Sequence, residues 1–463
     1  MNLLTPTHLG KLHLPNRVVL APMTRSRADA DGIVGDLTVK YYVQRATAGL
    51  IITEATNISA EAKGSPMTPG IWSAEQVAAW KKVTGAVHAA GGTIVMQLWH
   101  TGRVGHSTVR GGQLPVAPSA VGIQGQQVYT PTGLQNYEVP RALTTEEVRS
   151  TIDDYERAAQ NAKAAGFDGV ELHGAFGYLP HQFLVDSVNQ RTDEYGGSVE
   201  NRARFVLEVM ERLVGVWGEG RVGIRLSPTL AYNGMIDSDP LATFGYLITK
   251  LNALPLAYLH LMRATPDAVR FPTWPQDTVA TFGPLFTGSL LLNGGYDRDS
   301  AEAVVSSGAA HAVSFGASFI GNPDLVHRFE VGAALAVPDR NTFYSGGEKG
   351  YADYPALPQD EEPQDEKKLA KGYWLVQVTI TDPAQFGKYT AVAGPVLASY
   401  GARVLARGEV REVVEGAVPR RPYFVEFPSY AVALACFRSA GYQDAIALRA
   451  GAAHFDIVVV EGM

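Results

Sequence analysis

From about residue 18 to 330, eight short apolar runs alternate with stretches long enough to return the chain to its starting end. The runs are VVLAPM (18–23), LIITEATNIS (50–59), TIVMQLWH (93–100), GVELHGA (169–175), VGIRLSP (222–228), LAYLHLM (256–262), SLLLNGGY (289–296) and HAVSFGASF (311–319). Most are near-continuously apolar, as parallel strands covered on both faces must be. Helix starts lie between them. Ser73 with Gln76, and Thr144 with Glu147, fit capping boxes; Asp239-Pro240 and Asn322-Pro323 each put a cap residue before a proline at the first helical position. Eight such units predict a closed (β/α)8 barrel. The rival, an open doubly wound sheet, would carry a Gly-x-Gly-x-x-Gly turn after its first strand, and none is there. Residues 8–17, HLGKLHLPNR, read as a hairpin closing the barrel floor, and 101–143 as a long excursion above the third strand.

The composition then shifts. Residues 355–371, PALPQDEEPQDEKKLAK, are proline-punctuated and densely charged, which describes a solvated linker. Beyond it a second pattern begins: a strand at 372–381, a helix at about 383–400, strands near 402–414 and 421–427, a helix at about 429–449 and a strand at 455–461. The order β-α-β-β-α-β is ferredoxin-like. The expected organisation is therefore a barrel over 1–354, a linker over 355–371 and a small α+β domain over 372–463.

Composition removes several function classes. Lys plus Arg number 39 against 46 Asp plus Glu, a net charge of −7, which argues against a nucleic-acid partner. The one cysteine, Cys436, excludes an intrachain disulfide and a thiolate metal cluster, so no metal site is expected; in AVALACFRSAG it reads as a small hydrophobe. No apolar run reaches the ~18–20 residues of a membrane helix, and the start has no signal-peptide pattern, so a cytoplasmic location is expected.

In a barrel enzyme the site is built at the carboxyl ends of the strands. Those ends carry Thr24, Ala55, Gln97, Trp99, His173, Tyr178, Arg225, Gly294 and Gly316. No carboxylate pair and no Ser/His/Asp set stands out among them. An amide, a guanidinium and a hydroxyl suit the edge of a flat anionic heterocycle, and glycines at the last two strand ends let backbone amides approach a phosphate.

Residues 1–358 resemble the old yellow enzyme flavoproteins, the FMN-dependent ene-reductases. The resemblance is carried by APMTRSRA (21–28), YYVQRATAGLIITEATNIS (41–59), MQLWHTGR (96–103), NQRTDEYGGSVENRARF (189–205), GIRLSP (223–228), FGASFIGNPDL (315–325) and YSGGEKGYADYP (344–355). It implies a barrel with FMN across its mouth, reloaded by NADPH or NADH, and a small conjugated carbonyl substrate. It further implies that Thr24, Gln97 and Arg225 contact the ring, that Pro22, Met23 and Ala55 line it, and that Gly294 and Gly316 approach the phosphate. Trp99 would wall the substrate pocket, His173 would donate to the substrate carbonyl, and Tyr178 would supply the proton while hydride comes from the flavin.

Two positions depart from the family. Phe176 stands where a second carbonyl donor, His or Asn, is usual, and Ala317 stands where an arginine pairs with phosphate. Either departure suits altered chemistry: a desaturase, an isomerase or another redox-neutral tailoring enzyme, or a flavin-deficient, non-catalytic barrel. Arg263 at the sixth strand's end could compensate for Ala317, meet an acidic substrate, or be solvated. Each assignment has a plainer alternative. Gln97 and Arg225 could be satisfied core polars, Tyr178 could only pack, His181 reads as structural, and His100 and His106 read as solvated. Residues 372–463 resemble an uncharacterised family of the dimeric α/β-barrel superfamily, which implies a homodimer formed through this domain.

Overall fold

The computed structural model describes residues 1–357, 371–407, 412–416 and 420–462. The chain divides into two compact units, Met1–Leu357 and Pro358–Met463. Most of the charged segment 355–371, namely 358–370, lies outside the described residues.

In the first unit each strand leads to a helix. The pairs are β1 (Val18–Leu20) with α1 (Asp36–Val43), β2 (Leu50–Ile52) with α2 (Ala74–Ala89), β3 (Ile94–Trp99) with α3 (Thr145–Ala164), and β4 (Gly169–Gly174) with α4 (Val199–Trp217). They continue as β5 (Val222–Leu226) with α5 (Pro240–Leu251), β6 (Tyr258–Met262) with α6 (Thr278–Phe282), β7 (Leu290–Asn293) with α7 (Arg298–Ser306), and β8 (Ala312–Phe315) with α8 (Leu325–Val331). Among the described residues these eight strands pair in parallel, and pairing of β8 with β1 and of β3 with β4 closes the ring. The predicted barrel is the observed one.

Outward side chains of the strands, among them Leu172, Ile224 and Val313, pack under helix stripes such as Val206, Val209 and Leu213 of α4. The floor is sealed by the hairpin Thr7–Leu9/Leu12–Leu14, whose Leu9, Leu12 and Leu14 are buried against Leu50, Val95, Tyr258 and Leu291. At roughly 25 cal/mol per Å², leucines of this kind contribute about 2 kcal/mol each. Both capping boxes form as expected, Ser73 with Gln76 and Thr144 with Glu147, and Asp239 caps α5 through the amide of Ala242.

Several boundaries differ from expectation. The strands are shorter than the apolar runs, because the residues after each strand leave the sheet for the barrel mouth. In the eighth run, Ala317–Gly321 is already a short helix. Asn322 caps no proline-led helix: its amide bonds Ser318 O and Ala336 O, and Asp324 precedes α8. The excursion over 101–143 holds a hairpin, Gln127–Thr130/Gly133–Asn136, and a parallel pair, Val116–Ala117/Arg141–Ala142.

The second unit has β9 (Gly372–Ile380), α9 (Pro383–Ser399), β10 (Arg403–Ala406), β11 (Arg421–Phe427), α10 (Tyr430–Arg438), α11 (Ala440–Leu448) and β12 (Ala453–Glu461). The antiparallel order β10-β11-β9-β12 is the ferredoxin-like arrangement. The single helix expected at 429–449 is broken at Ser439, whose extended backbone ends α10 while its hydroxyl accepts the Tyr442 amide and caps α11. The strand expected to reach 414 stops at Ala406, and 408–411 lie outside the described residues. Trp374, Val425, Phe427, Cys436 and Tyr442 form the core, and the Cys436 thiol is pushed up to about 11 by burial. That fits the small-hydrophobe role.

Candidate functional site

Side chains alternate along a strand, so the polar residues embedded in these apolar runs fall on one face, the barrel interior. Gln97 is the register partner of Glu171, His173 of Arg225, and Arg225 of His260. The result is a continuous polar network inside an otherwise apolar barrel. Gln97 Nε2 donates to Glu171 Oε1 at 2.7 Å, and Glu171 Oε2 lies 2.9 Å from His260 Nδ1. His260 Nε2 lies 2.8 Å from Ser314 Oγ, which accepts from Asn293 Nδ2 at 2.9 Å. Asn293 Oδ1 then accepts from Arg225 Nη2 at 2.8 Å. Gly223 holds the inward place on β5 between β4 and β6, and a Cβ there would lie 2.4 Å from the Tyr258 ring. Its missing side chain leaves the room that the Tyr258 ring occupies.

Above this layer the aromatic residues gather. The Trp99 and Tyr178 rings meet edge-on at 5.0 Å, and His173 and Tyr178 at 4.7 Å. The Phe176 ring lies 6.2 Å from His173, and the Arg225 guanidinium carbon 4.9 Å from the Phe176 centroid. Trp99, His173, Phe176, Tyr178 and Arg225 therefore form one cluster, as a shared site requires. Three buried polar atoms in it have no hydrogen-bond partner: Trp99 Nε1, His173 Nδ1 and Arg225 Nε. Buried polar atoms are ordinarily paired, so each of the three is open to a water or a ligand atom.

The electrostatics of the cluster follow from burial. His173 is held well below the usual histidine range, first by burial, then by the charges of Arg225, His181 and His260. It is a neutral ring with one N–H to give. The Tyr178 phenol is raised above the ordinary tyrosine value, again by burial first, then by Tyr232, Tyr137 and Tyr344. It keeps its proton more firmly than an exposed phenol.

The remaining predicted residues lie just after the carboxyl ends of their strands. Pro22 and Ala55 are buried; Met23 and Thr24 are half-buried. The loop holding Thr24 is anchored by Glu54, which accepts the amides of Arg25 and Ser26. Gly316 lies beside Met23, whose sulfur a Cβ at Gly316 would meet at 3.3 Å. Gly294 has φ +118°, a backbone state that excludes a side chain, and it abuts Arg263. Ala317 is exposed at the first turn of its short helix. Arg263 is exposed, with its guanidinium carbon 4.7 Å from the Tyr296 centroid.

Some residues behave otherwise than expected. His100 and His106 are buried at 1% and 8% exposure, not solvated. His100 Nδ1 accepts the Gly102 amide and His106 Nδ1 the Thr108 amide, so both hold the loop after β3. His181 takes the expected structural part: its Nδ1 accepts the Gly177 amide, and burial lowers it to about 3. Glu171, His260, Ser314 and Asn293 escaped the strand-end reading, although each was visible as a polar residue within an apolar run.

Residues 2–336 match the NADH:flavin oxidoreductase / NADH oxidase family, and residues 371–463 match a domain of unknown function, DUF1330. The 12-oxophytodienoate reductase 1 of Oryza sativa subsp. japonica is 44% identical over 364 residues, covering 78% of this chain and 94% of that protein. The "Probable flavin mononucleotide-dependent alkene reductase" of Leishmania infantum is 45% identical over 362 residues, covering 77% and 97%. The solved structure of morphinone reductase superposes with a TM-score of 0.74 at 49% identity, over 78% of this chain and 98% of that one. With the fold, the inward polar layer and these matches agreeing over the whole barrel, the chain belongs to the NADH:flavin oxidoreductase / NADH oxidase family, the old yellow enzyme flavoproteins.

Proposed function

We propose that this protein is an FMN-dependent NAD(P)H oxidoreductase of the ene-reductase type, reducing the C=C bond of an α,β-unsaturated carbonyl compound. The observation that carries the reading is the convergence of Gln97, Arg225, His173 and Tyr178 at one end of the barrel, with the unpaired Arg225 Nε and His173 Nδ1 among them.

The residues present suit FMN. Gln97 and Arg225 offer an amide and a cation to a ring edge, Thr24 a hydroxyl, and Pro22, Met23 and Ala55 a close-packed border. Gly294 and Gly316 would let backbone amides approach a phosphate, and Ala317 adds no charge there. FMN held by these residues would supply the hydride, with NADPH or NADH as the reductant. Arg225 stabilises negative charge at the ring edge. His173, neutral through burial, donates its N–H to the substrate carbonyl oxygen, where electron density builds as the β-carbon is reduced. Tyr178 carries a proton to the α-carbon; a phenol raised by burial is fully protonated at neutral pH and so has one to give. Trp99 walls the pocket. Phe176 replaces a second donor with an apolar face, which favours substrates with an apolar or aromatic surface at that place.

In the second unit, the register sets Leu375 between Phe424 and Val458 on the sheet face away from the helices, at 37%, 41% and 56% exposure. Such a row supports a homodimer formed face to face through this domain. No described helix is long and apolar enough to cross a membrane. A cytoplasmic location is part of the reading.

The test is spectroscopic. Purified protein supplied with FMN is expected to turn yellow, to bleach anaerobically with NADPH or NADH, and to recover its colour with 2-cyclohexenone. A protein that takes up no flavin overturns the reading. Flavin with no net consumption of nicotinamide during turnover favours a redox-neutral reaction instead.

A further inference from the structure

We propose that the hydrogen-bonded chain Glu171–His260–Ser314–Asn293 is a positioning assembly that fixes the amide orientation of Gln97 and the position of the Arg225 guanidinium toward the ring at the barrel mouth. This rests on the flavin reading above and adds to it a group of residues that need not touch the ring.

The donors and acceptors leave one consistent arrangement. A carboxylate only accepts, so Glu171 Oε1 takes the Gln97 N–H, and the Gln97 amide oxygen must face away from it. Glu171 Oε2 takes the proton on His260 Nδ1. In a neutral imidazole the other nitrogen is then an acceptor, so Ser314 donates to Nε2 at 2.8 Å. The alternative acceptor for that hydroxyl, Leu292 O, is 3.4 Å away. Having given its one proton, Ser314 Oγ accepts from Asn293 Nδ2, and Asn293 Oδ1 is left to accept from Arg225. Every proton along the chain points from Arg225 toward Glu171. A cation at one end and an anion at the other stabilise that alignment, because the bond dipoles run head to tail between them.

The consequence lies at the two ends. Gln97 presents an acceptor and Arg225 presents donors, including the unpaired Nε. That is the complement of a ring edge in which an N–H is flanked by carbonyl oxygens. A flipped Gln97 amide would set N–H against N–H. Burial makes the specification strict at the Glu171 end: Glu171 and His260 are wholly buried, and Gln97 and Ser314 are 1% and 2% exposed, so no water can substitute for a missing partner there, whereas Asn293 is half-buried.

The experiment uses the full chain reconstituted with FMN. Glu171→Leu removes both acceptors at similar volume and is expected to weaken FMN binding ten- to a hundredfold, read by flavin fluorescence. In a Gln97→Ala background the same substitution should cost less than threefold, because there is no amide left to orient. Glu171→Gln keeps one acceptor oxygen for the Gln97 N–H, while its NH2 donates to His260 Nδ1 in the other tautomer, and it should restore affinity to within about threefold of the parent. It also removes a negative charge and should raise the midpoint potential of the bound flavin, which keeps the proposal testable if Glu171→Leu does not fold. Equal losses in the two backgrounds, or an unchanged potential in Glu171→Gln, would overturn the assignment. A parent chain that takes up no FMN overturns the flavin reading and this proposal together, whereas a flavin-loaded parent with unresponsive Glu171 variants overturns this proposal alone.

Discussion

The Arg225 guanidinium carbon sits 4.9 Å from the centre of the Phe176 ring, so the residue standing where a second carbonyl donor is usual lies against the cation of the polar layer. Phe176 holds this place with φ +56°, a left-handed backbone that Asn adopts more readily than Phe, its amide bonded to Ser227 Oγ and its carbonyl to Asn233. The Phe176→Asn variant should therefore keep the loop. Relief of about 1 kcal/mol of backbone cost offsets a cation–π contact of about 1 kcal/mol, so stability should change little. With a second donor beside His173, kcat/KM for small enones such as 2-cyclohexenone should rise about tenfold to a hundredfold. Steady-state kinetics check this, and unchanged or lower activity would refute the account of Phe176.

Tyr178 makes edge contacts with both Trp99 and His173, and Phe keeps that ring. Tyr178→Phe should leave reduction of the flavin by nicotinamide at its normal rate while slowing reoxidation by an enone about a hundredfold, the usual worth of a positioned acid. Stopped-flow measurement of the two half-reactions separates them. Equal slowing of both would show Tyr178 to be a packing residue.

Ala317 is exposed, so an arginine can be introduced there without displacing a core side chain. Ala317→Arg should tighten FMN about tenfold, through one charge-assisted contact worth about 1.5 kcal/mol. Titration of flavin fluorescence reads it. An unaltered dissociation constant would mean that another group already neutralises the phosphate.

Glu54 anchors the loop carrying Thr24, and burial, opposed by the amides and charges of Arg25 and its neighbours, raises its carboxyl from 4.5 to about 7. A carboxyl raised by folding binds its proton more tightly in the native state. The folded protein is thus favoured below about 4.5, and this contribution is lost as pH rises through about 7. Its full size is on the order of 3 kcal/mol. Glu54→Gln has no such titration, so its stability relative to the parent should rise between pH 5 and pH 8 in urea denaturation. A gap that is the same at both pH values would refute the assignment.

Much of the barrel was legible because it rests on local rules. Burial on both faces writes near-continuous apolar runs, and the capping boxes at Ser73 and Thr144 satisfy orphan amides within one turn. Helix continuity is less local. The apolar pattern of 429–449 ran through Ser439, and only the structure shows that its side chain caps a new helix. His100 and His106 read as solvated because their neighbours in sequence are loop residues, whereas their burial comes from the packed excursion above β3.

By itself the sequence determined the strand–helix alternation, the second unit's strand order along the chain and the residue types at the strand ends, since each follows from spacing along the chain. The tertiary structure alone decided that Gln97, Glu171, His260, Ser314, Asn293 and Arg225 are one network, and that Phe176 meets Arg225. Those partners are separated in sequence by up to 89 residues, and what joins them is the closure and register of the barrel, which set inward side chains from different strands within hydrogen-bond reach.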